Sequence, residues 1–282
     1  MSSTTVPISR PRLLEALNHQ PIPPIIVVVA PAGYGKTTLI SQWTEMRSTP
    51  AAWVRLGSEH NTPHRFLHGV LQAIGRQPDA PPSLDTALES IRRLATCQPG
   101  SVVVLDDFHV IENPEVHQMA SELVAGLPAG LHLVIMSRAM PPLPLARRRI
   151  EGEVRDIQMQ DLSFIKEEVG WLAESVYGST VSPEMVSHLT ARTDGWIAGI
   201  RLALASADAM DPQRTSSIMD AWHTQQSLDE YVIEEVLATL PEDLHDFILR
   251  TAFLPYLEPD LCNHVLEIDH SAALIADASR RV

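Results

Sequence analysis

The residues whose types and spacing carry the most chemistry are Ala32-Gly33-Tyr34-Gly35-Lys36-Thr37-Thr38. An apolar β-branched run, Ile25-Ile26-Val27-Val28-Val29, leads into them through Ala30-Pro31, and the apolar-periodic Leu39-Ile40-Ser41-Gln42-Trp43 follows. Strand, small-residue turn and helix start, in that order, predict a phosphate-binding loop. Unpaired backbone N–H groups and the positive end of a helix dipole then surround an anion. Lys36 is placed to reach the β- and γ-phosphates, and the Thr37 hydroxyl to ligate Mg²⁺. The usual pattern has glycine where this chain has Ala30. Alanine serves there provided the position needs no positive φ.

A second apolar run, Ser101-Val102-Val103-Val104-Leu105, ends in Asp106-Asp107. Asp106 would emerge at the sheet edge facing the loop and suits a Mg²⁺ ligand, directly or through the ion's water. Asp107 would point elsewhere, because side chains alternate along a strand, and suits a general base on an attacking water. Arg138 closes the run Leu131–Met136, where a guanidinium can bond a γ-phosphate. Arg147, Arg148 and Arg149 form the densest basic cluster; salt-bridge roles and an arginine acting in trans on a second copy are both open. His60, His64 and His68 recur every four residues, but Pro63 leaves only His64 and His68 on one helix face, too few for a zinc site. His109, just after Asp107, is read as structural, with an approach to the nucleotide as the alternative, and Trp196, Leu202 and Leu204 as core.

These residues must be held by alternating elements. Strands are predicted at Ile25–Val29, Ala51–Leu56, Ser101–Asp106 and Leu131–Met136. Helices fall near Ser9–Leu17, over Leu39–Trp43, and at Pro63–Ile74, Leu84–Ala95 and Val116–Gly126, with Asn61 or Thr62 as a cap and Pro78–Pro82 as a loop. That alternation marks an α/β fold, a P-loop NTPase parallel sheet sandwiched by helices, with ligands at the carboxyl ends of the strands. From about Asp161 the pattern is helical only: Ile165–Tyr177, Pro183–Thr193, Trp196–Ser206, then, past a linker at Asp208–Ser217, Leu228–Leu240, Glu242–Ala252 and Pro259–Leu266. The expected domains are 1–160, 161–217 and 218–282.

Composition narrows the function classes. The 282 residues are 45% hydrophobic and 20% charged, which is the balance of a folded protein. A net charge of −14 argues against a phosphate-neutralising surface for DNA on this chain. The run Ile25–Ala30 is far short of the ~20 residues that span a bilayer, and the N-terminus has no basic-then-apolar signal pattern. A cytoplasmic location is expected. Cys97 and Cys262 fit no metal or redox spacing and are expected to be buried or semi-buried thiols.

Taken together, the motifs resemble a known family, the signal-transducing ATPases of the STAND class, and within it the MalT-like large ATP-binding LuxR-type transcription activators. The resemblance rests on Pro31–Leu39, on Leu105-Asp106-Asp107-Phe108-His109-Val110-Ile111, and on Ser137-Arg138 with Pro141-Pro142-Leu143. It continues through Asp161-Leu162-Ser163-Phe164, Asp194-Gly195-Trp196 and Tyr231-Val232-Ile233-Glu234-Glu235-Val236-Leu237. The tyrosine within the loop, the Asp-Asp-Phe-His run and the Asp-Gly-Trp turn are its most specific parts.

The resemblance implies an ATPase core, a small helical domain and part of a winged-helix domain, with ATP or ADP and Mg²⁺ as ligands. It implies nucleotide contacts from Arg10, from the loop and from Gly195 and Trp196, with Arg138 sensing the γ-phosphate. It also implies slow hydrolysis controlling self-association, and DNA and inducer binding by segments beyond Val282. Ile150-Glu151 departs from the basic pattern that relatives continue after Arg149, and the expected ADP-contacting histidine lies past the last residue. Two alternatives stay open: a metabolic or motor P-loop ATPase or kinase unconnected with transcription, and a nucleotide-binding scaffold without turnover.

Overall fold

The computed structural model describes residues 8–47, 49–76, 83–177, 181–208, 240–254 and 257–281. They form two compact units. The first comprises residues up to Ala30 together with Gly35–Leu162, and the second comprises Pro31–Tyr34 together with residues from Ser163 onward.

In the first unit the chain runs α1 (Pro11–Asn18), β1 (Ile25–Val29), α2 (Lys36–Glu45), β2 (Ala51–Arg55), α3 (Pro63–Ala73), α4 (Leu84–Cys97) and β3 (Ser101–Asp106). It continues through α5 (Pro114–Ala125), β4 (Leu131–Ser137), α6 (Ala146–Ile150), β5 (Val154–Gln158) and α7 (Met159–Leu162). The strands make one parallel sheet in the order β2-β3-β4-β1-β5.

β1 alternates its faces. Ile25 and Val27 join the core under α3, α4 and α5, whereas Ile26 and Val28 are buried outside that cluster. Leu13, Leu17, Leu39, Ile40 and Trp43 of α1 and α2 are buried as well, and the Trp43 indole N–H donates to Asn18 Oδ1 at 3.1 Å. Arg155 of β5 closes the end of α1, donating to the carbonyl oxygens of Ala16, Leu17 and His19 at 2.6, 3.0 and 3.1 Å. These are carbonyls that a helix C-terminus leaves without an intrahelical donor.

β5 has no counterpart in the expected strands. Its Val-Arg-Asp-Ile-Gln sequence sits at the sheet edge and is mostly half-buried, so charged positions interrupt the apolar signal. Thr62 caps α3 by backbone geometry without a side-chain bond; Asn61 instead accepts from the Glu112 and Asn113 amides. Cys97 corrects the reading of both cysteines as buried or semi-buried: it ends α4 on the polar side of an amphipathic helix and is exposed, whereas Cys262 is buried.

The second unit contains α8 (Lys166–Tyr177), α9 (Pro183–Thr193) and α10 (Ile197–Asp208), then α11 (Glu242–Thr251), α12 (Pro259–Leu266) and α13 (Ser271–Arg281). Val169, Leu172, Leu189, Ile200 and Leu204 are buried in the first three. Leu244, Phe247, Cys262, Leu266 and Ala278 form the core of the last three. α13 has no counterpart among the expected helices, because its Ser-Ala-Ala-Leu-Ile-Ala-Asp-Ala pattern carries few large apolar residues. The predicted loop Pro78–Pro82, the linker at Asp208–Ser217 beyond Asp208, the helix Leu228–Leu240 before its last residue and the motif Tyr231–Leu237 lie outside the described residues, as does the Leu202 side chain.

Candidate nucleotide site

Strand order decides which side chains meet. β4 lies between β1 and β3, with Val29 opposite Ser137 and Leu105 opposite Ile135. The segments leaving β1, β4 and β3 therefore emerge side by side, carrying Gly35-Lys36-Thr37, Arg138 and Asp106-Asp107.

Ala30 is buried at the end of β1, its amide donating to Ser137 O at 3.3 Å. It is not among the positive-φ residues. The departure from glycine is accommodated for that reason. Gly35 caps α2 in the left-handed region at φ +81° and has no side chain of its own to bond the first amides of the helix. Those amides and the helix dipole are an anion cradle.

Lys36 is 8% exposed and its Nζ donates to Ala30 O at 2.6 Å. Burial foremost, then the Arg138 guanidinium, lowers its pKa from 10.5 to about 8, while Asp107 and Asp106 pull it upward. A buried ammonium beside a second cation is a group waiting for anionic charge.

Thr37 and Asp106 meet directly, Thr37 Oγ1 donating to Asp106 Oδ2 at 3.1 Å. Asp106 is 2% exposed and also accepts from the Asp107 amide at 3.0 Å. Burial and then the neighbouring Asp107 charge raise its pKa. A hydroxyl and a carboxylate brought together, with two like charges in need of neutralisation, form the hard oxygen donor set that Mg²⁺ prefers. The ion fits these residues.

Strand alternation does not set the direction of Asp107, whose charge acts on Asp106 and on Lys36 alike. β3 ends at Asp106, and Asp107 takes the left-handed conformation, φ +58° and ψ +39°. Its carboxylate is 37% exposed, with His109 Nδ1 at 4.0 Å from Oδ1. This exposure lets a carboxylate meet a water, the requirement for a general base.

The other sequence candidates scatter. Arg10 is 4% exposed and donates to Leu162 O at 2.8 Å. Each arginine of the basic cluster has a carboxylate: Arg147 with Glu151 at 2.8 Å, Arg148 with Glu153 at 2.7 Å, and Arg149 with both oxygens of Asp156 at 2.8 and 2.9 Å. His60 Nδ1 accepts from the Gly57 amide, and the His64 and His68 rings stack 6.3 Å apart. Among the described residues no group of three metal-ligating side chains is found.

In the second unit, Asp194 and Gly195 are both left-handed, at φ +47° and +74°, and Phe164 N–H donates to Gly195 O at 2.8 Å. A Cβ on Gly195 would lie 2.5 Å from Phe164 O, so glycine is required. The Trp196 indole N–H donates to Ala32 O at 3.0 Å, and the Ala198 amide donates to Gly33 O at 3.2 Å. Trp196 is thus a hydrogen-bonding residue beyond its packing, and Ala198 is a participant that no sequence motif singled out. Burial and the Asp194 charge raise the Tyr34 pKa.

Comparison with known proteins bears on this geometry. Residues 23–138 match the model of an AAA domain, and residues 233–282 match that of the MalT winged helix domain. The HTH-type transcriptional regulator MalT of Vibrio campbellii is 26% identical over 290 residues, covering 97% of this chain and 32% of that protein. Its namesake from Yersinia pestis is 27% identical over 289 residues with the same coverage. The chain spans about a third of the length of the curated relatives it matches. Among solved structures, a RuvB variant of Thermotoga maritima aligns with a TM-score of 0.52 at 12% identity, covering 94% of this chain and 82% of that one, a likeness of fold.

Proposed function

We propose that this chain, MalT-like along 97% of its length, is the ATP- and ADP-binding switch module of a transcription activator. The observation that carries the reading is the Thr37–Asp106 contact: the first turn of α2 and the last residue of β3 meet at one point although β4 separates their strands. That is where Mg²⁺ bound to a triphosphate would be held. Thr37 and Asp106, the latter directly or through the ion's water, would hold it, and the ion would supply charge neutralisation for the phosphates.

Lys36 binds those phosphates together with the amides of Ala32–Thr38. Asp107 takes the proton of the attacking water, and Arg138 bonds the γ-phosphate and so distinguishes ATP from ADP. Arg10 completes the nucleotide's surroundings, and the Gly195-Trp196 turn serves the site by backing the loop, the Trp196 indole donating to Ala32 O. The domains are the ATPase core at 1–160, the helical domain at 161–217 and a winged-helix portion at 218–282. Turnover is slow and serves to reset self-association in the cytoplasm. DNA and inducer recognition belong to residues outside these 282, in keeping with the net charge of −14.

The test is ATP turnover with and without DNA, together with nucleotide titrations. One nucleotide bound per chain, with slow turnover that ignores DNA, supports the switch. Fast turnover stimulated by nucleic acid would make this a motor, and binding without any turnover a scaffold.

A further inference from the structure

The phosphate loop's tip is held by the Asp194-Gly195-Trp196 turn and the start of α10. Trp196 Nε1–H donates to Ala32 O, and Ala198 N–H to Gly33 O. The approach is close: a Cβ on Gly33, itself at φ +77°, would lie 2.7 Å from both Trp196 Nε1 and Ala198 Cβ. Only glycine fits the contact.

Peptide planarity turns this contact into a statement about anion binding. In a trans peptide the C=O of one residue and the N–H of the next point in opposite directions. Fixing Ala32 O toward Trp196 therefore aims the Gly33 N–H the other way. Fixing Gly33 O toward Ala198 likewise aims the Tyr34 N–H away from α10. A loop binds phosphate only when such successive N–H groups stay turned to one side. A loop peptide with no partner for its carbonyl is free to flip and offer an oxygen to the phosphate instead.

We infer that Trp196 is a positioning residue for polyphosphate binding, acting through the Ala32–Gly33 and Gly33–Tyr34 peptides. Its indole N–H and the Ala198 amide together fix the carbonyl side of the loop so that the amide side faces a nucleoside di- or triphosphate. The inference rests on the nucleotide-binding reading above for its ligand, but its structural part stands without one. It also gives two sequence features a common cause. The loop needs glycine at position 33, and the turn needs Gly195 where the Phe164 backbone crowds it, because both are parts of one clasp.

Residue-resolved amide exchange on the 282-residue chain, without added nucleotide, tests the clasp first. Ala198 is the second residue of α10 and has no intrahelical acceptor. Slow exchange of its amide in the unaltered protein is expected, and exchange at the rate of a free loop amide would overturn the clasp with no variant needed.

Trp196→Phe then keeps the ring and removes the donor. The expected result is faster exchange at Ala198, with the β3 amides unchanged, and ADP affinity weaker by about fivefold, the fold-change of one hydrogen bond. Trp171→Phe, on the exposed face of α8, should change neither. Lys36→Ala separates the two claims. If it abolishes ADP binding while Trp196→Phe leaves both affinity and Ala198 exchange unchanged, the positioning role is refuted and the nucleotide reading stands. If Lys36→Ala leaves binding intact, the nucleotide reading falls, and with it the ligand assigned to the clasp.

Discussion

Lys36→Met should act in opposite directions on stability and on binding, with amounts that follow from where the amine sits. Moving its pKa from 10.5 to about 8 means that at neutral pH the charged form carries a cost of about 3 kcal/mol in the folded chain. The bond to Ala30 O at 2.6 Å offsets part of that, about 1.5–3 kcal/mol for a charged donor. A methionine of similar length therefore leaves the protein as stable or about 1 kcal/mol more stable at pH 7, while nucleotide affinity falls at least tenfold.

The pH dependence fixes the sign independently. A lysine with a lowered folded pKa binds fewer protons in the folded than in the unfolded state between pH 8 and 10.5. Its cost is fully present below about pH 8 and fades as pH rises toward the unfolded value. The stability difference between Lys36→Met and the unaltered chain should thus shift by about 2 kcal/mol in favour of the unaltered chain between pH 7 and 10. Urea unfolding at the two pH values, without added nucleotide, measures it; titrations common to both proteins cancel in the difference. A difference that does not change with pH, or a variant well over 1 kcal/mol less stable at pH 7, would refute the reasoning.

Three further outcomes are expected. Asp106→Asn should remove the Mg²⁺ dependence of ATP binding in calorimetry. It should also raise the melting temperature without nucleotide at pH 7, because a carboxylate whose pKa is raised by burial and a neighbouring charge is costly above its ordinary range. Asp107→Asn should leave Mg-ATP affinity within about twofold while hydrolysis drops by at least tenfold in a phosphate-release assay. Arg138→Ala should weaken ATP more than ADP; equal losses for the two nucleotides would remove its γ-phosphate role.

The parallel sheet and the phosphate loop were legible because their signals are local. Ile25–Val29 and Ser101–Leu105 are unbroken apolar runs, and a strand buried on both faces produces that pattern. Edge strand β5 was not legible, since charged positions interrupt its apolar pattern and most of its side chains are only half-buried. The setting of Asp107 was not legible: a left-handed residue after the strand, rather than pleat alternation, directs its carboxylate. Least legible was the Trp196 bond to Ala32, which joins positions 164 residues apart. A tryptophan at the start of a helix reads as core, and only the backbone crowding around Gly33 and Gly195 reveals a second role.

The central claim is a switch, and a ligand can move an equilibrium only by its differential affinity for the two states. Small-angle scattering of the 282-residue chain saturated with ADP and with a non-hydrolysable ATP analogue, each with Mg²⁺, tests this most directly. The account predicts different scattering profiles for the two saturated forms. Identical profiles, or no saturable binding of either nucleotide, would contradict it.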